Sequence, residues 1–376
     1  MSSILVNGPV TVPADFCSHH TKWPGTGTKP TGATIGNIRL LDGSTGWMWR
    51  HIETSAGVYS WTNLDTMIAA YRTEGWTVSF AFYGTPVFYA SAGDQGFNDQ
   101  YNNTGGAAYP TADTNLAGAI AFVTALITRY NDAGGTWRLA NPTLGKGIQT
   151  FEVWNEPNFS QNHSGYWWGT AGQLIDLTYS AYASVKAVDP SVTVMSPGFF
   201  NDVHAWPWIT AKGTINTTKT GADTCDALSF HGYLGMPYGA PYCAWFSDIA
   251  WGQYGAYPFV QMASRFKPGA DVYCTEYGFD TSAGTASLLS LARETADFRY
   301  TLLARVMLTL AAMGVKRFGC YAFENTLCGD WVTDTNGVIA AYNLVGSICG
   351  KTIISATAEI KGPLTLRFSD NTSLSV

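Results

Sequence analysis

Two glutamates stand out as residues whose type and setting could do chemistry. Glu156 closes the run Phe151-Glu152-Val153-Trp154-Asn155-Glu156-Pro157-Asn158, and Glu276 closes Asp271-Val272-Tyr273-Cys274-Thr275-Glu276-Tyr277-Gly278-Phe279. Each carboxylate follows an apolar, strand-like stretch, where a charge is costly unless it is partnered. Pro157 disfavours helical geometry at Glu156 and stops the strand, so that carboxylate is expected at the strand's C-terminal end. A lone Asn-Glu-Pro would suit any surface turn, but two glutamates in matching settings suit a paired-carboxylate reaction. One member stays protonated to donate to a leaving oxygen while the other attacks an anomeric carbon.

Such a pair needs a frame that brings distant strands to one rim. Short β-branched or apolar runs alternate with longer helical stretches along the chain, the pattern of an α/β parallel architecture. Strands are expected at 16–18, 37–40, 77–82, 149–154, 192–196, 227–231, 271–275 and 317–321. Helices are expected at 64–74, 115–131, 171–189, 286–313 and 340–348, the first opened by a capping-box variant at Thr62-Asn63-Leu64-Asp65. The two glutamates lie 120 residues apart, or three steps of roughly 40 residues, which places them after strands four and seven of a (β/α)8 TIM barrel. The irregular, aromatic-rich stretches 83–113, 155–169, 199–224 and 232–258 then fall on the loops that form the catalytic face of that fold. Residues 1–351 are read as the barrel domain and 352–376 as a short C-terminal β appendage, too small to be a domain.

Composition narrows the partners. Charged residues make up 13% of the 376, with a net charge of −6 and no long basic run, which disfavours nucleic acid and anionic membranes. No stretch of 18 apolar residues is present, so no spanning segment is expected. Met1–Val6 lacks the basic and apolar regions of a signal peptide. With the Thr- and Gly-rich makeup, that suits a phage-borne protein or a secreted one whose leader has been removed, better than a cytoplasmic one. Seven cysteines show no zinc-like spacing and no disulfide framework. Cys274 and Cys320 read as small buried hydrophobes, although a Cys320–Cys328 bridge, or one made by Cys243, is open. There is no G-x-S-x-G elbow or H-E-x-x-H. The P-loop-like Gly346–Thr352 stretch is better read as a helix C-terminus.

With both glutamate motifs in view, the chain resembles the clan A glycoside hydrolases, and within them family 39. The segment Trp49-Arg50-His51-Ile52-Glu53, then Gly57-Val58-Tyr59-Ser60-Trp61 and Leu64-Asp65, is similar to that family's stretch after strand 2, and Trp154-Asn155-Glu156-Pro157-Asn158 matches its acid/base motif. The likeness spans about residues 16–351. It implies a retaining O-glycosyl hydrolase with Glu156 as acid/base and Glu276 as nucleophile. It also implies that Asn155 binds a sugar hydroxyl, that Arg39 keeps the nucleophile ionised, and that His231 and Tyr233 bond the nucleophile or the sugar. Tyr321 stands where many clan members have a Trp on strand 8, and Glu324, His19 and Trp47 are further substrate-binding candidates. His20 and Trp167, Trp168, Trp206, Trp208, Trp245 and Trp251 are candidate subsite residues beside them. The family's xylosidases carry a substantial β-sandwich after the barrel, whereas only a short tail follows here. The chain thus looks closer to compact endo-acting members that cut bacterial exopolysaccharides. Neither a cofactor nor a metal is implied; the expected partner is a polysaccharide or oligosaccharide, and the expected state a monomer. A transglycosylase on the same site, an exo-acting β-glycosidase and a non-catalytic glycan-binding barrel are the competing readings.

Overall fold

The computed structural model describes residues 2–3, 8–21, 32–41, 47–90, 110, 113–157, 167–233, 255–278, 296–321, 336–358 and 363–376. Eight strands form a closed barrel in sequential order. They are β1 (Cys17–Thr21), β2 (Asn37–Leu40), β3 (Thr77–Phe82), β4 (Thr150–Val153), β5 (Thr193–Phe199), β6 (Ala227–His231), β7 (Asp271–Tyr277) and β8 (Val315–Cys320). This is the expected (β/α)8 architecture, with β2, β3 and β6 at the expected bounds. The chain divides into two compact units, one of Lys22–Thr26 and Arg39–Ser229, the other of Met1–Thr21, Gly27–Ile38 and Phe230–Val376.

In the unit Arg39–Ser229 the alternation of side chains explains the layering. β3 and β4 run parallel with Ser79 beside Thr150 and Phe82 beside Val153. Ser79 and Thr150 share a 2.5 Å hydroxyl contact on one face. On the opposite face Phe80, Phe82 and Phe151 stack at 6.1 and 5.9 Å between centroids, and Phe82 meets Phe122 of the helix Ala117–Tyr130 at 5.8 Å. Since successive side chains of a strand point to opposite faces, the sequence T-F-E-V of β4 sends Phe151 and Val153 to the helices and Thr150 and Glu152 the other way. The helix Ala171–Val188 opens on a true capping box, Gln173 N donating to Thr170 Oγ1 (3.2 Å) and Thr170 N to Gln173 Oε1 (2.8 Å).

The box expected at Thr62 is not formed. The helix runs over Thr62–Thr73 with Trp61 as N-cap and no side-chain cap. Asp65 is drawn elsewhere: Arg129 donates to both its oxygens at 2.8 and 2.6 Å, and the Tyr130 hydroxyl donates at 2.7 Å. A two-point arginine fork with a phenol outcompetes a single backbone N–H.

In the other unit β7 and β8 are parallel, as are β8 and β1, with Phe318 beside Cys17. Phe230 of β6 stacks on Phe259 of the helix Ala256–Phe266 at 4.8 Å. The helix Ala296–Ala312 lies within the expected span. The helix Val338–Gly346 ends before a turn with Gly350 in the left-handed region (φ +85°), so the P-loop-like run is indeed a helix C-terminus. The appendage is an antiparallel sheet of β9 (Thr352–Ala358), β10 (Leu364–Phe368) and β11 (Ser373–Ser375). It recruits the start of the chain, because Ser2–Ser3 and Val10–Thr11 both pair with β9. Cys17, Cys225, Cys274 and Cys349 are free thiols. Cys320, for which a buried thiol and a bridge were both open, is disulfide-bonded. Among the described residues no helix is long and apolar enough to cross a membrane.

Candidate active site

Glu156 sits just past β4 on a backbone that bulky residues rarely adopt. Trp154 has φ +77° and Glu156 φ +43°, each at a cost of order 1–2 kcal/mol for a side chain with a Cβ. Pro157 thus keeps Glu156 out of the right-handed helix, as expected, but by a left-handed turn and not by an extended one. The neighbouring strand holds this turn. Trp154 N donates to Phe82 O (2.8 Å), Gly198 N to Trp154 O (3.1 Å) and Glu156 N to Gly198 O (2.8 Å). The Trp154 ring is locked edge-on between Tyr83 (5.0 Å) and Trp167 (4.9 Å). Asn155 is buried, while Glu156 is partly exposed.

Arg39 is 1% exposed and has its charge met within this unit. Its Nε donates to Glu152 Oε2 at 2.6 Å and its Nη2 to Asn155 Oδ1 at 2.9 Å. Glu152 Oε1 in turn accepts from Ser229 Oγ at 2.5 Å. Sequence reading passed over Glu152, although a signal was there: a lone carboxylate at an inward position of an apolar strand needs a buried cation, and β2 offers Arg39.

Glu276 is the penultimate residue of β7 in the other unit and is 4% exposed. The Tyr233 hydroxyl donates to its Oε2 at 2.7 Å, and His231 Nδ1 lies 3.5 Å from the same oxygen. The main chain is fixed as well, with Gly232 N donating to Glu276 O at 2.8 Å and the Cys274 thiol contacting that carbonyl at 3.4 Å. The expected grouping of His231 and Tyr233 with Glu276 is therefore present. A phenol donor on one carboxylate oxygen favours the ionised form.

The other candidates fall in different places. Tyr321 is buried and meets His20 edge-on at 4.6 Å. By strand alternation His20 shares the face of Ser18, whose hydroxyl donates to Asn37 at 2.7 Å, while His19 shares that of Cys17. Trp47 is fully buried, and among the described residues its indole N–H meets no acceptor. Trp167 donates to Thr170 O at 3.1 Å and Trp208 packs on Phe199 at 5.4 Å, so both are packing residues. Trp168 and Trp206 are half-buried. Glu324, Trp245 and Trp251 lie outside the described residues.

Burial, then the neighbouring His20, holds the His19 imidazole well below its ordinary range. The folded protein keeps it neutral, while the unfolded chain takes up a proton below about pH 6.5. Its contribution to stability is therefore complete above that pH and is lost as the pH falls, by up to about 1.4 kcal/mol per pH unit. Urea melts between pH 7 and 5 should show a shallower decline in His19→Asn than in the parent; equal slopes would contradict this.

The segment from Trp49 to Trp61 is organised around a buried carboxylate. Glu53 is fully buried and accepts from Trp49 Nε1 (2.6 Å), Gly57 N (2.8 Å) and the Tyr89 hydroxyl (2.9 Å). It pins the small hairpin of Glu53–Ser55 and Val58–Tyr59, and Gly57 makes the turn at φ +73°. Glu53→Gln should cost about 1–3 kcal/mol of unfolding free energy, because an amide cannot accept at both ends. A denaturation midpoint unchanged from the parent would count against that role.

No family model matches the sequence, and no curated protein matches it. Solved structures do share the fold. A glucosidase from Croceicoccus marinus aligns over 97% of this chain and 83% of its own, at 14% identity and TM-score 0.55. A glycoside hydrolase family 30 subfamily 8 xylanase from Clostridium acetobutylicum aligns over 96% and 81%, at 14% identity and TM-score 0.56. An alpha-L-arabinofuranosidase from Thermotoga maritima aligns over 98% and 80%, at 14% identity and TM-score 0.54. At such identities the likeness speaks for the barrel itself.

Proposed function

We propose that the protein is a retaining glycoside hydrolase that cleaves O-glycosidic bonds within a polysaccharide, with Glu276 as nucleophile and Glu156 as acid/base. The observation that carries this reading is the position of the two glutamates at the C-terminal ends of β7 and β4, the end of a barrel strand where catalytic groups stand in this fold. Their surroundings divide the roles. Glu276 accepts a hydrogen bond from the Tyr233 phenol, which offsets the cost of its burial and suits a carboxylate kept ionised for attack. Glu156 is the more open of the two, which suits a group that first donates a proton and later takes one from water.

In the first step Glu276 attacks the anomeric carbon, the C–O bond to the leaving sugar breaks, and Glu156 gives its proton to the departing oxygen. In the second, Glu156 removes a proton from water, which displaces Glu276 and restores both groups. Asn155 would bind a hydroxyl next to the reacting carbon. A retaining pair is expected to hold its carboxyl groups about 5–5.5 Å apart. The sugar-processing names of the fold relatives agree with this class of reaction. The test is a screen of the purified chain against chromogenic glycosides and bacterial exopolysaccharides. Release of reducing ends from at least one of them, lost in Glu276→Gln, supports the proposal; turnover undiminished in that variant would overturn it.

A further inference from the structure

We propose that Glu152 is a positioning residue for Asn155, acting through Arg39; the inference rests on the glycosidase reading above. Arg39 carries donors only, so the Asn155 atom 2.9 Å from its Nη2 must be the carbonyl oxygen. That contact fixes the amide's orientation and leaves its NH2 to be offered as a donor. What fixes Arg39 is Glu152. Both its oxygens are used, Oε2 by Arg39 Nε at 2.6 Å and Oε1 by Ser229 Oγ at 2.5 Å, so it cannot swing away.

The chain Ser229–Glu152–Arg39–Asn155 runs across strands β6, β4 and β2 and ends one residue before Glu156. Every member is buried, at 0%, 0%, 1% and 5% exposure. A fully buried ion pair seldom adds net stability, since desolvation cancels most of the attraction and a well-packed apolar pair often does as well. Its presence in the barrel interior is better explained by the direction it imposes on Asn155. The backbone there is left-handed on both sides, at Trp154 and Glu156, so the side chain gains from a fixed anchor.

The test is a double-mutant cycle on the full chain, with kinetics on a substrate from the screen. Glu152→Gln should lower kcat/KM about 10–100-fold, taking as guide the cost of losing a residue that orients a metal ligand. In the Asn155→Ala background the same change should lower it less than twofold further, and Glu152→Asp, which keeps the charge, should recover part of the loss. Losses that multiply in the double variant would overturn the proposal, because Glu152 would then act independently of Asn155. A crystal structure of Glu152→Gln, or of Glu152→Asp if the first does not fold, gives a readout free of activity. The Arg39–Asn155 contact should lengthen beyond hydrogen-bond reach or the amide should turn; persistence at 2.9 Å would overturn the proposal. Should the parent cleave no glycoside, the reaction assignment fails, and this structural arm still decides the role of Glu152.

Discussion

Glu276→Gln is expected to lower kcat by on the order of 10⁴-fold or more while leaving oligosaccharide binding in place. An amide has no anionic oxygen to attack the anomeric carbon, yet it matches the carboxylate in size and can still accept from the Tyr233 hydroxyl, which now donates to Oε2 at 2.7 Å. The main-chain anchors Gly232 N and Cys274 Sγ reach Glu276 O and are untouched by the change. Initial rates, with binding followed by calorimetry in the variant, check both halves of the expectation. Activity within tenfold of the parent would remove Glu276 from the chemistry.

The second large effect is expected at Glu156. Glu156→Ala should reduce kcat/KM about 10²–10⁴-fold on a substrate whose leaving group is a sugar, because that oxygen needs the proton. A dinitrophenyl glycoside of the same sugar leaves without one, so its first step should be nearly unaffected. The second step still lacks its base, and the glycosyl-enzyme should accumulate as a burst of dinitrophenolate. Azide needs no deprotonation and should speed the steady state. Equal losses on both leaving groups, with no response to azide, would mean that Glu156 does not carry the proton.

Much of the barrel was legible because its strands alternate cleanly. Ala-Leu-Ser-Phe-His of β6 and Thr-Val-Ser-Phe-Ala-Phe of β3 each set an inner polar row against an outer apolar one, and both match their expected bounds. The limits of β5 and β7 extend further than expected, to Phe199 and Tyr277, since hydrogen bonding to a neighbouring strand continues where local pattern fades. Features that depend on a distant partner were not legible. Asp65 looked like a cap until Arg129 and Tyr130, from another helix, claimed it. The appendage drew in Ser2–Ser3 and Val10–Thr11, more than 300 residues away in sequence from β9. Of the tryptophans read as sugar platforms, Trp167 and Trp208 serve the packing.

The site was legible in part for the same reason. Glu156 and Glu276 announced themselves by ending strands, and the His231-x-Tyr233 pattern pointed to the partner of Glu276 that the geometry provides. Glu152, a lone carboxylate in an apolar strand, signalled the need for a buried partner but not which one. Its meaning comes from Arg39 and Ser229, which are 113 and 77 residues away. The left-handed backbone at Trp154 was equally hidden, because a bulky aromatic would ordinarily be assigned extended geometry.

The central claim is that Glu276 and Glu156 cleave a glycosidic bond by two displacements at one carbon. Its most direct test is the anomeric configuration of the first-formed sugar, followed by proton NMR in the opening minutes of hydrolysis of a substrate from the screen. Two inversions restore the starting configuration, so the account predicts a first product with the anomeric configuration of the substrate. A first product of the opposite configuration would contradict it.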